Sequence, residues 1–83
     1  MYSLVYDRRI EKDLRLIPKA LRLNILEKTA KLAAEPRGHQ IEKLSGIDGH
    51  RLRVGDYRVL FVIDDRQKAV TVYRILHRRE AYR

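Results

Sequence analysis

After a short strand-like start, apolar positions along this chain keep a helical spacing to about Ala34; beyond a loop, near residue 50, the spacing turns strand-like. Ser3 to Tyr6 reads as a short first strand. Asp7 suits the N-cap of a helix from Arg8 to about Leu16, since a short carboxylate accepts the orphan N–H groups of a first turn. Ile10, Leu14 and Ile17 fall on one face of it. Pro18 ends that helix and suits the first turn of a second, from about Lys19 to Ala34. Leu21, Ile25, Leu26, Ala30, Leu32 and Ala33 give the second helix a broad apolar stripe, which Pro36 and Gly38 stop. So tight a connection predicts an antiparallel helical hairpin.

Residues 36–49 read as loop. His50–Val54 and Tyr57–Ile63 flank Gly55-Asp56, a Gly-first two-residue hairpin turn. Asp64 to Lys68 is a polar turn, and the β-branched run Val70 to Leu76 is a further strand. Val59 to Ile63 is apolar without alternation, which predicts a central strand covered in part on both faces. The expected fold is α+β in the order β-α-α-β-β-β: a helical hairpin packed on one face of a small, mainly antiparallel sheet. With 83 residues and no linker or repeat, residues 1–83 are expected to form one domain.

Charge adds a functional direction. The formal net charge is +8, and arginine outnumbers lysine 13 to 6. Arginine makes planar, bidentate contacts with phosphate and stacks on bases, so the bias favours a polyanionic or acidic partner. There is no cysteine, which excludes disulfides and thiolate metal sites and fits a reducing cytoplasm. No apolar run approaches a membrane span, and the N-terminus lacks a signal-peptide layout, so a soluble, unsecreted protein is expected. His39 and His50 have no ligand partner at metal spacing, so no metal and no cofactor are expected.

The strand period decides which charges meet. If Leu52 and Val54 face the helices, Arg51 and Arg53 face away. Arg58 lies across the turn, and the segment His77-Arg78-Arg79-Glu80-Ala81-Tyr82 leaves the last strand. The sheet then gathers Arg51, Arg53, Arg58, Arg78 and Tyr82 on one concave surface. Cations so placed repel one another, and a bound anion relieves that cost. Tyr57 and Tyr73 read as packing, and Arg15, Arg22, Lys28 and Lys31 as solvated helix charge.

Lys43-Leu44-Ser45-Gly46, then His50-Arg51-Leu52-Arg53-Val54-Gly55-Asp56-Tyr57-Arg58-Val59, then Ile75-Leu76-His77-Arg78-Arg79-Glu80-Ala81-Tyr82 resemble the RelE/ParE superfamily of type II toxin–antitoxin toxins, its RelE branch in particular. The resemblance covers essentially the whole chain. It implies a ribosome-dependent, metal-independent mRNA endonuclease that cuts the A-site codon by attack of a ribose 2′-OH on the adjacent phosphodiester, acting in the cytoplasm. It further implies a cognate antitoxin, with DNA reached only through that partner. Arg58 and Arg78 match arginines that hold the scissile phosphate, and Tyr82 matches a tyrosine that orients the nucleotide. Arg51 and Arg53 stand at positions often occupied by lysine. Arginine does not give up its proton in proteins, so these two are charge stabilisers, and His77 and Tyr82 remain as the acid or base. The alternatives are a ParE-type inhibitor of DNA gyrase on the same fold, a degenerate toxin that only binds its antitoxin, and a non-catalytic nucleic-acid-binding module.

Overall fold

The computed structural model describes residues 1–38, 40–44 and 49–81. The order is β1 (Ser3–Tyr6), α1 (Arg9–Arg15), α2 (Lys19–Ala30) with a 3₁₀ turn at Lys31–Ala33, β2 (Ile41–Lys43), β3 (Gly49–Val54), β4 (Tyr57–Asp64), β5 (Ala69–His77) and α3 (Arg78–Ala81). The α+β class and the helical hairpin on one face of a mainly antiparallel sheet are as expected. Two elements were not anticipated. The stretch expected as loop over residues 36–49 contains β2, and the residues after β5 form a short helix rather than a tail.

The sheet order is β1-β5-β4-β3-β2. β1 runs parallel to β5, with Ser3 opposite Ala69 and Tyr6 opposite Val72; the other pairings are antiparallel. β4 is central, as its apolar run predicts. One of its faces is fully covered at Val59 and Phe61, while Val62 on the other stays exposed. The β3–β4 hairpin turns at Gly55, whose φ of +57° is the left-handed conformation a Gly-first turn needs.

The helices begin and end by local chemistry. Asp7 Oδ1 accepts the Arg9 N–H at 2.9 Å, so the carboxylate caps the first turn although Arg8 holds the formal cap position. Pro18 (φ −52°, ψ 136°) is extended and is itself the cap of α2, one place earlier than the first-turn position expected of it. Arg22 closes the hairpin by donating from Nε to the Ile17 carbonyl at 2.9 Å. The α2 stripe is narrower than expected. Ile25, Thr29 and Leu32 are buried, whereas Leu21 is exposed. The helix also tightens into the 3₁₀ turn at Lys31 instead of running on to Ala34.

The core joins Ile10, Ile17, Ile25 and Leu32 from the helical layer to Leu52, Val54, Val59, Phe61, Val70, Val72 and Ile75 from the sheet. Each such burial contributes about 1.5–3 kcal/mol relative to an exposed side chain. One polar bolt crosses this layer. Asp13 of α1 accepts two bonds from Arg74, at 2.9 and 3.0 Å, and a third from the Ile75 N–H at 2.9 Å. The register of β5 against β4 slips between Leu60 and Phe61, leaving Tyr73 as the extra residue of a bulge. β1 pairs with β5 no further than Val72, so Asp13 supplies the Ile75 N–H with an acceptor that no strand provides. Among the described residues, no helix is long and apolar enough to cross a membrane.

Candidate active site

Alternation along β3 buries Leu52 and Val54 and turns Arg51 and Arg53 to the face away from the helices. Arg53 lies directly opposite Arg58, and Arg51 opposite Leu60, so the three arginines share the open face. With Gln40, Ile41 and Glu42 they line a cavity of about 310 Å³. Like charges opposed across a strand pair are unfavourable, so each arginine needs compensation.

The compensation differs from one arginine to the next. Arg58 is only 4% exposed, contrary to the open position expected for it. Its Nη1 donates to the carbonyls of Gly55 at 2.9 Å and Tyr57 at 2.8 Å, so the hairpin turn grips the guanidinium from behind. Arg51 donates from Nη2 to Glu42 Oε2, across the β2–β3 pair in which the two residues stand opposite each other. Arg53 is exposed. Gln40 shapes the rim. It adopts φ +66°, rare for a residue with a side chain, and its carbonyl accepts the Arg53 N–H at 3.1 Å.

Glu42 is the group that sequence reasoning missed. Its carboxyl is held below the usual range, chiefly by the hydrogen bond from Arg51 and then by the charge of Arg51, with Arg58 and Arg53 adding to it. It is therefore ionised at neutral pH, an internal anion among the arginines. No sequence signal marks it, because a three-residue strand is too short to show a period.

The remaining expected site residues divide. His77 belongs to β5, and alternation sets it with Ile75 on the helix side, opposite the arginines. Its ring meets Tyr57 edge-on, with centroids 5.4 Å apart, and its Nδ1 accepts the Arg79 N–H at 3.3 Å. His77 thus holds the start of α3 and is not gathered into the cluster. Arg78 is exposed at the first position of α3, pinned by its N–H to the Asp56 carbonyl at 2.7 Å. That bond ties α3 to the β3–β4 turn, the same turn that grips Arg58. Tyr82 lies outside the described residues, as do His39, Ser45 and Gly46. Among the described residues no group of three His, Cys, Asp or Glu side chains is placed to hold a metal ion.

A sequence profile described as the ParE toxin of the type II toxin–antitoxin system, parDE, matches residues 4–82. No curated protein sequence matches. Solved structures do. The toxin–antitoxin complex RelBE2 from Mycobacterium tuberculosis superposes with a TM-score of 0.81 at 25% identity, covering 92% of this chain and 96% of that one. The archaeal RelE–RelB complex from Pyrococcus horikoshii gives a TM-score of 0.81 at 29% identity, over 93% and 94% of the two chains. The isolated RelE toxin of E. coli shares the fold, with a TM-score of 0.78 at 23% identity over 99% and 96%.

Proposed function

This chain belongs to the ParE toxin family of type II toxin–antitoxin systems, within the RelE/ParE superfamily, and from that premise we propose that it is a ribosome-dependent mRNA endonuclease of the RelE type. The observation that carries this reading is the convergence of Arg51, Arg53 and Arg58 on one cavity of the open sheet face. A surface built for protein contact alone does not need three guanidinium groups around a hollow; a phosphodiester does.

Cleavage by an internal nucleophile has three requirements, and each finds a group. The ribose 2′ oxygen attacks phosphorus and its proton must leave. Glu42 lines the same cavity and is the acceptor, as a weak base because its bond with Arg51 holds its pKa low. The phosphorane gains charge, which Arg51, Arg53, Arg58 and Arg78 stabilise without losing their own protons. The P–O5′ bond breaks and the departing 5′ oxygen takes a proton, for which Tyr82 is the candidate donor. The products are a 2′,3′-cyclic phosphate and a 5′-OH. His77 acts in this reading by positioning Arg78 through the start of α3, not as acid or base. A cognate antitoxin is the partner that the solved complexes of relatives support. The ribosome and A-site mRNA are the targets of the nuclease reading.

The second reading is gyrase inhibition without RNA cleavage, favoured by the description of the matching profile as ParE. The deciding experiment maps mRNA ends after adding the purified protein to reconstituted translating ribosomes. Cuts within the A-site codon, absent from ribosome-free RNA and reduced about a hundred- to a thousand-fold by Arg53→Ala, are expected. Intact mRNA together with blocked supercoiling by gyrase would transfer the function to the ParE reading. Intact mRNA with unimpaired gyrase would leave a degenerate toxin that binds only its antitoxin.

A further inference from the structure

A second cavity, of about 480 Å³, opens on the other side of β2. Arg37, Ile41, Lys43, His50, Ile63 and Asp65 line it. Strand alternation separates it from the arginine cavity. Glu42 and Arg51 stand opposite each other and line the open face, so their neighbours Lys43 and His50, also opposite each other, turn to the helix side. There Lys43 is exposed, and the His50 ring stacks on Phe61 with centroids 5.5 Å apart and planes 18° from parallel. The cleavage chemistry uses none of Arg37, Lys43 and His50.

The lining defines the ligand. Its carboxylate, Asp65, already accepts two bonds from Arg37 and one from the Tyr2 hydroxyl. That pairing fixes the Arg37 side chain at the cavity wall and offsets its charge. Lys43 is then the cation offered to an incoming group, and an ammonium takes phosphate as a point charge. His50 and the two isoleucines serve a different need. An imidazole with one face against Phe61 is a stacking platform for a flat ring, and Ile41 and Ile63 supply apolar contact beside it. A bare phosphate leaves the ring and the isoleucines unused. A neutral aromatic leaves the ammonium unused. A nucleotide uses both, and the cavity is of the size that holds a small ligand.

We propose that this cavity is a nucleotide site, with the base against His50 and the isoleucines and the phosphate at Lys43. The nucleotide is either free or part of an RNA strand that crosses the edge of β2 from the arginine cavity, since Ile41 lines both hollows. The site does not depend on the chain cleaving RNA.

The test follows the backbone amide signals of the full chain by NMR as adenosine 5′-monophosphate is added. Adenosine and inorganic phosphate, the two halves of that probe, are titrated beside it. The monophosphate is expected to shift Lys43, His50 and Ile63 saturably, leave Arg53 unmoved and bind about tenfold or more tightly than either half. Lys43→Gln is expected to weaken it about tenfold. His50→Leu, which keeps an apolar contact with Phe61 but loses the flat ring, is expected to weaken it by a similar factor. Lys43 is exposed, so unchanged thermal unfolding of its variant rules out misfolding as the cause. A second arm replaces the monophosphate with hexaadenylate. Shifts with the monophosphate support the proposal with a free nucleotide as ligand. Shifts at Lys43 and His50 with hexaadenylate alone, lost in Lys43→Gln and weakened by Arg53→Ala, support it with an RNA strand as the source. Phosphate binding as tightly as the monophosphate overturns the proposal. So do shifts that survive Lys43→Gln undiminished, and so does the absence of shifts at these residues with both probes.

Discussion

At the scale of single residues, Asp65 shows how one exposed carboxylate ties distant segments. It accepts the Tyr2 hydroxyl at 2.6 Å and two bonds from Arg37, at 3.1 and 2.9 Å. The residue before β1, the segment after α2 and the β4–β5 turn thus meet at one side chain. The hydrogen bond from Arg37 and then that from Tyr2 lower its pKa from 3.8 to about 2. A carboxylate with a depressed folded-state pKa contributes stability above its unfolded pKa and loses it as pH falls through the folded one. The contribution of Asp65 is therefore complete above about pH 4 and fades toward pH 2. Asp65→Asn should remove that part of the acid-unfolding curve and leave the shape near neutrality unchanged. Urea midpoints measured at successive pH values check it. The group is exposed, so the effect is small and shrinks with salt.

Elements are held by fewer and stronger ties. Asp13 is 5% exposed and satisfies both the Arg74 guanidinium and the Ile75 N–H, so it ties α1 to the bulged end of β5. Removing Asp13 leaves the buried Ile75 N–H without its acceptor, while Arg74, 36% exposed, turns to water. Asp13→Ala should cost about 1–3 kcal/mol, read from equilibrium denaturation. What was legible in the sequence follows the same division. The β3–β4 hairpin and the helical hairpin are local. Gly55, Pro18 and the apolar spacing announce them, and with them the facing of Arg51 and Arg53. The parallel pairing of β1 depends on a partner far away in the chain, and the three-residue edge strand β2 and the bulge at Tyr73 are too short to leave a periodic trace. The site inherits that limit. Glu42 was hidden because β2 was hidden. His77 was offered as an acid or base, but one added residue of strand decides which face it takes. The burial of Arg58 depends on turn carbonyls that composition cannot reveal.

The molecule as a whole carries a net charge of +8, yet its open sheet face also exposes Val62 beside the arginines. If phosphates occupy the cavity, binding of single-stranded RNA releases counterions. The logarithm of affinity should then fall linearly with the logarithm of salt concentration. Arg53→Gln should lower that slope by about 0.7 if it neutralises one phosphate. Fluorescence anisotropy with an RNA blocked by 2′-deoxyribose at the scissile position measures it without cleavage. An unchanged slope would remove Arg53 from the phosphate contacts. The pairing of Ser3 with Ala69 has a consequence of another kind, in time. A chain is synthesised from its first residue onward, and one that has reached only Lys68 has no β5. It lacks the strand that both β1 and β4 pair with, and Val70, Val72 and Ile75 of the core. Contacts so distant in sequence also form slowly. The fold therefore cannot close until β5 has been made.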